Sequence, residues 1–105
     1  MRFVETPVFT REASRYLPDD EYRALQLALA LRPEQGAVIP GSGGLRKVRW
    51  SAPGRGRRGG LRVIYHRHRS SETIYMLLAY AKSDRDDLTR AQLRILRRLV
   101  EGELP

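Results

Sequence analysis

Hydrophobic and polar residues alternate along this chain with two different periods, and the changes of period mark its elements. From Arg2 to Phe9 the alternation is loose, with Phe3 and Phe9 framing the β-branched Val4, Thr6 and Val8, which predicts a short first strand. Pro7 puts that strand at an edge or a bulge. Thr10 suits the cap of a short helix running to Leu17, where Pro18 breaks it. A second helix begins at Asp19 or Asp20 and carries Tyr22, Leu25, Ala28 and Leu29 at helical spacing. It ends near Arg32, because Pro33 disfavours helical geometry in the residue before it.

Gly36 to Gly44, with Pro40, Gly41 and Gly43, reads as a turn-rich connection into a strand over Leu45 to Ser51. There Val48 and Trp50 point one way, towards the core, and Lys47 and Arg49 the other, towards solvent. Ala52 to Gly60 is a glycine- and arginine-rich hairpin loop, and Leu61 to His68 returns as the next strand. Thr73 to Ala81 is apolar on both faces, the pattern of an interior strand. Thr89 and Gln92 form a capping box with Leu88 and Leu93 as its hydrophobic staple. They open a last helix whose stripe is Leu93, Leu96, Leu99 and Val100 and which ends near Gly102. The order β-α-α-β-β-β-α predicts an α+β fold: one domain over residues 1–105, a mostly antiparallel four-stranded sheet with helices on one side.

Composition narrows the function. A chain of 105 residues can bury one real core and has no cysteine, which excludes thiolate metal sites, disulfides and cysteine nucleophiles. The N-terminal residues hold no apolar run fit for a signal peptide, and the best apolar stretch, Ile74 to Ala81, is far short of the ~20 residues that span a bilayer. A cytoplasmic protein without membrane contact is the expectation. The net charge is +8, and its distribution is uneven. Between Glu34 and Glu72 there is no acid, while Arg46, Lys47, Arg49, Arg55, Arg57, Arg58, Arg62, Arg67 and Arg69 fall in the same stretch. Solvated surfaces mix signs, so this stretch is read as facing a polyanion.

The inventory of catalytic groups is otherwise thin. Asp84, Asp86 and Asp87 crowd one loop, where turn and helix-dipole roles account for them. His66 and His68 share a strand face, but two imidazoles without a third ligand are a weak metal signal, and no cofactor motif is present. What remains is cationic. Lys47 and Arg49 lie ~7 Å apart on one face, Arg62 stands across the hairpin, and Lys82 leaves the end of the fourth strand. Like charges facing one another destabilise a sheet, and a polyanionic substrate relieves that cost. Such a cluster suits RNA cleavage by the 2′-hydroxyl: cations neutralise the pentavalent phosphate, and crowding disfavours the charged form of a lysine, fitting it to act as base.

Three segments carry a family resemblance: Gly44-Leu45-Arg46-Lys47-Val48-Arg49-Trp50, then Arg57-Arg58-Gly59-Gly60-Leu61-Arg62-Val63-Ile64-Tyr65, then Ile74 to Lys82 with Asp86-Asp87-Leu88-Thr89 after it. They resemble the HigB branch of the RelE toxin family, whose fold is a compact, microbial-ribonuclease-like sheet. The resemblance implies a ribosome-dependent mRNA endonuclease acting in the ribosomal A site without metal or cofactor. It also implies inhibition by a cognate antitoxin, a helix-turn-helix protein from an adjacent gene. By position, Lys47 and Arg49 match the paired basic residues of the second strand, Arg62 the phosphate-stabilising arginine and Lys82 the basic residue after the fourth strand. Arg46, Arg55, Arg57, Arg58, Arg67 and His68 are the candidates for RNA contact. RelE carries a tyrosine near its C-terminus that orients the scissile base. No tyrosine follows Tyr80 here, so that role is vacant or falls to Tyr80 or His68, and Tyr80 reads more simply as a strand aromatic. The alternative reading is a basic RNA- or ribosome-binding module that does not cut.

Overall fold

A computed structural model describes residues 1–50, 60–81 and 88–103. Five strands and three helices follow in the order β1 (Arg2–Glu5), α1 (Pro7–Tyr16), α2 (Asp19–Leu31), β2 (Ala37–Val38), β3 (Arg46–Trp50), β4 (Leu61–His68), β5 (Thr73–Ala81) and α3 (Arg90–Glu103). In the sheet the strands stand as β1-β5-β4-β3-β2. β1 runs parallel to β5 and every other pairing is antiparallel. The α+β class and the bounds of β4 and β5 agree with the sequence pattern.

Four expectations are corrected, the last in how the helices cover the sheet. The first strand stops at Glu5, not Phe9, because Pro7 opens α1: proline's missing N–H costs nothing at a first helical position, and its fixed φ suits the helix. Thr6, not Thr10, is therefore the cap, its hydroxyl accepting from Phe9 N at 3.0 Å. Thr10 sits inside the helix and donates to Glu5 Oε1 at 2.6 Å. The sheet has a fifth strand, since Ala37 and Val38 pair with Lys47 and Arg46 within the segment read as a turn.

The helices also cover both faces of the sheet instead of one. Phe9, Ala13, Leu17, Leu25 and Leu29 of the α1–α2 layer pack on Val48, Val63, Tyr65, Ile74 and Met76. Leu96 and Val100 of α3 pack from the other side on Leu45, Ile64, Tyr75, Leu77 and Tyr80. A central strand that is apolar on both sides demands this second cover. The α3 cap is built as its sequence suggests, with Thr89 N donating to Gln92 Oε1 at 2.9 Å and Gln92 N to Thr89 Oγ1 at 3.1 Å.

One irregularity organises the sheet. Ile64 pairs with Leu78 but Tyr65 pairs with Met76, so Leu77 has no opposite residue and β5 carries a bulge. The extra residue reverses the alternation: Tyr75 and Leu77 before it, and Leu78 and Tyr80 after it, all belong to the α3 side. Thr6 fastens this point. Its hydroxyl donates to Leu77 O at 2.8 Å and its N–H to Met76 O at 3.0 Å, so one residue caps α1, ends β1 and holds the bulge.

On the α3 side His66 stacks beside Tyr75, with ring centroids 6.5 Å apart, and its Nδ1 is buried without a hydrogen-bond partner. Burial, reinforced by the neighbouring His68, pushes its pKa below the ordinary value, against a smaller upward pull from the Gly44 backbone.

Two outcomes follow for stability. Thr6→Ala should cost about 2 kcal/mol in urea unfolding, a cap and a buried carbonyl's partner together, and Thr6→Ser should recover most of it. For His66 the unfolded chain takes up its proton near pH ~6.5 while the folded chain resists it, so its contribution is complete above that pH and is lost as pH falls below it. His66→Gln should flatten the decline in unfolding free energy between pH 7 and 5; an unchanged slope would assign that decline to other groups.

Candidate functional site

The pleat sorts the basic residues by parity. On β3, Val48 is buried and Trp50 half-buried against the α1–α2 layer, so Lys47 and Arg49 lie on the opposite face, as their alternation predicts. That face is shared with α3, which the sequence reading did not foresee, yet Arg49 stays exposed and Lys47 half-exposed. Arg49 is paired with Arg62 of β4, and Arg62 with Tyr80 of β5. A row Arg49–Arg62–Tyr80 therefore crosses three strands, with neighbouring Cα atoms ~4.5–5.5 Å apart, and Lys47 stands ~7 Å from Arg49 along β3. Without the Leu77 bulge Tyr80 would fall on the other face.

Burial makes the row unequal. Arg62 is 9% exposed and Tyr80 3%. Confinement limits the orientations open to the Arg62 guanidinium, a planar fork that matches two phosphate oxygens at once. Its low-dielectric surroundings strengthen any interaction with an anion. Arg49, directly opposite and of like sign, adds to the positive charge of the row.

The other candidates divide. Arg46 and Arg67 lie on the α1–α2 face, away from the row. Arg46 Nη1 donates to Gly36 O at 2.7 Å and Glu34 O at 3.1 Å, and Arg67 Nη1 is 3.5 Å from the Glu34 carboxylate. His68 is at the far end of β4, six residues or ~20 Å from Arg62, with Nδ1 2.6 Å from Ser71 Oγ and Nε2 3.4 Å from Ser70 Oγ. Lys82, Arg55, Arg57 and Arg58, and with them Asp84, Asp86 and Asp87, fall outside the described residues. Among the described residues no cluster of three or more His, Asp or Glu could hold a metal ion, and no helix is long and apolar enough to cross a membrane. Glu34 drew no attention in the sequence beyond marking where the acids stop, although that boundary is where the structure gathers arginines.

Comparison with known proteins places the fold. Two solved structures of the Escherichia coli toxin RelE share the fold. A doubly substituted form in the free state aligns with a TM-score of 0.60 at 13% identity, covering 98% of this chain and 97% of that one. The isolated toxin aligns with a TM-score of 0.58 at 12% identity, covering 93% and 97%. The family model for the RelE toxin of the RelE/RelB toxin–antitoxin system matches residues 1–103. With the family model matching nearly the full length, the chain belongs to the RelE toxin family.

Proposed function

We propose that this chain is an endoribonuclease that cuts mRNA on the ribosome, in the HigB branch of its family, by attack of the 2′-hydroxyl on the adjacent phosphorus. The observation that carries this reading is the nearly buried Arg62 held between Arg49 and Tyr80 on a face that also presents Lys47. A cation so confined supplies the charge that the pentavalent phosphate requires at the moment it forms. Arg62 is assigned to the non-bridging phosphate oxygens, with Arg49 as its partner on the exposed side.

Lys47 is the candidate to remove the 2′-hydroxyl proton, being the one lysine on that strand face. Lys82, the residue directly after β5, is the candidate to supply charge or a proton at the departing 5′-oxygen. Arg55, Arg57 and Arg58, between the paired strands β3 and β4 in sequence, are assigned to RNA phosphates. No step in this scheme asks for a metal or cofactor, because the cations themselves cover the developing charge. A cognate antitoxin of the helix-turn-helix kind, encoded beside the toxin, would hold the protein inactive in the cytoplasm by covering this face or matching its charge.

Cleavage of mRNA on purified translating ribosomes tests the scheme. The expected products carry a 2′,3′-cyclic phosphate and a 5′-hydroxyl; DNA and RNA methylated at the 2′-oxygen of the cut site stay whole. Arg62→Ala should remain folded and slow cleavage by on the order of a hundredfold or more. Lys47→Ala should slow it as well, less so at high pH where hydroxide replaces the base. If both folded variants cut at the parental rate, the assignment fails and a binding module that does not cut replaces it.

A further inference from the structure

Two arginines, Arg67 and Arg69, meet the Glu34 carboxylate where α2 leads into β2, on the side of the sheet away from the proposed cleavage site. Arg46 is bonded to the carbonyls of Glu34 and Gly36. Arg67 and Arg69 both face the Glu34 carboxylate, Arg67 at 3.5 Å and Arg69 in direct contact. Arg32 and Arg67, with the Pro33–Gln35 backbone turn between them, line an open polar crevice of about 280 Å³. The turn itself is fixed: the Tyr65 hydroxyl donates to Pro33 O at 2.8 Å and accepts from Gly36 N at 3.0 Å. Gly36 has no room for a side chain, since a Cβ there would stand 2.9 Å from the Tyr65 ring and hydroxyl.

Two features mark this place as more than a surface ion pair. Arg67 is mostly buried, its side chain 19% exposed, and its Nε is buried without a hydrogen-bond partner, a costly state for a charged donor. Glu34 and Arg69, by contrast, are 43% and 73% exposed, and ion pairs so open are weak and screened by salt. Two cations thus share one loosely held anion in a fixed frame, with Arg46 bonded to the backbone of the same turn.

We propose that this crevice binds a phosphate of structured RNA and that Glu34 occupies it as an internal stand-in until the RNA arrives. Carboxylate and phosphate oxygens meet a guanidinium in the same fork geometry, so the exchange leaves Arg67 and Arg69 in place. An acidic side chain from a protein would merely replace one carboxylate by another. A nucleic acid gains in addition from the counterions its backbone releases, which is what favours it as the occupant. The inference rests on the RNA-directed reading above but concerns a separate site. Arg67 lies five residues beyond Arg62 on β4, ~17 Å along the strand and on the opposite face, so a second RNA element, not the strand being cut, must provide this phosphate.

Binding of a fluorescent RNA hairpin, methylated at every 2′-oxygen so that it cannot be cut, tests this with the intact protein. Glu34→Gln should tighten binding about two- to fivefold at fixed salt, the gain expected when a weak competing ion pair is removed. Glu101→Gln, which releases Arg97 on α3 by the same change of charge, should do less. Arg69→Ala, an exposed substitution that leaves the melting temperature unchanged, should weaken binding and lower the slope of log affinity against log salt by ~0.7–0.9. The Arg67 Nε–H resonance should move on titration with the hairpin and saturate well before it does with inorganic phosphate or polyglutamate. Equal effects of Glu34→Gln and Glu101→Gln, or an unaltered slope in Arg69→Ala, would overturn the proposal. So would saturation of the Arg67 signal by phosphate alone or by polyglutamate as readily as by RNA, pointing respectively to a free-phosphate site or to an acidic protein partner. Because the hairpin is not a substrate, failure here leaves the cleavage scheme standing, and failure of cleavage leaves this binding result intact.

Discussion

A single threonine hydroxyl holds the design together. Thr6 accepts from the first turn of α1 and donates to the carbonyl at which β5 steps out of phase. A helix terminus leaves donors without partners, and a bulge leaves a carbonyl outside the ladder; one short side chain answers both. The parallel contact of β1 with β5 therefore ends at a defined residue, and the central strand changes phase at a defined residue. Everything on the far half of β5, Tyr80 included, takes its face from that step.

The bulge also explains which parts of the site were legible in the sequence. Lys47, Arg49 and Arg62 follow from period-two alternation on β3 and β4 and from the hairpin between them, and the structure sets them on one face. Tyr80 does not follow, because β5 is apolar on both sides and a phase change in such a strand leaves no mark in its hydrophobic pattern. Arg46 and Arg67 show the limit of counting charges: the run is continuous in sequence, but the pleat deals its members to opposite faces. Glu34 lay at the edge of that run, where nothing local distinguishes an acid in a turn from one that two arginines meet.

Among the elements, α3 was legible to its cap because Thr89 and Gln92 bond each other within one turn. Its position was not, since an amphipathic stripe says which face of a helix is buried and is silent on which side of a sheet receives it. β2 is two exposed residues and has no pattern to read. At Pro7 two rules competed, an edge-strand proline against a helix-opening one, and the preceding threonine decided for the helix. The electrostatic arrangement is the reverse case: composition announced an anionic partner, and only the fold shows the cations separated into a confined row on one face and a carboxylate-filled crevice on the other.

The register Arg2 to Thr73 has a meaning in time as well as in space. The first strand of the chain waits for the last, so the pairing that completes the sheet closes a loop some seventy residues long, a contact of high order whose entropy must be met late in folding. Nascent chains emerge from the N-terminus, so β1 and the two helices after it appear first and have no sheet to join. The row across β3, β4 and β5 comes into being only when residues near 81 are free. Assembly order alone thus keeps the basic face unformed until β5 has left the ribosome that makes it.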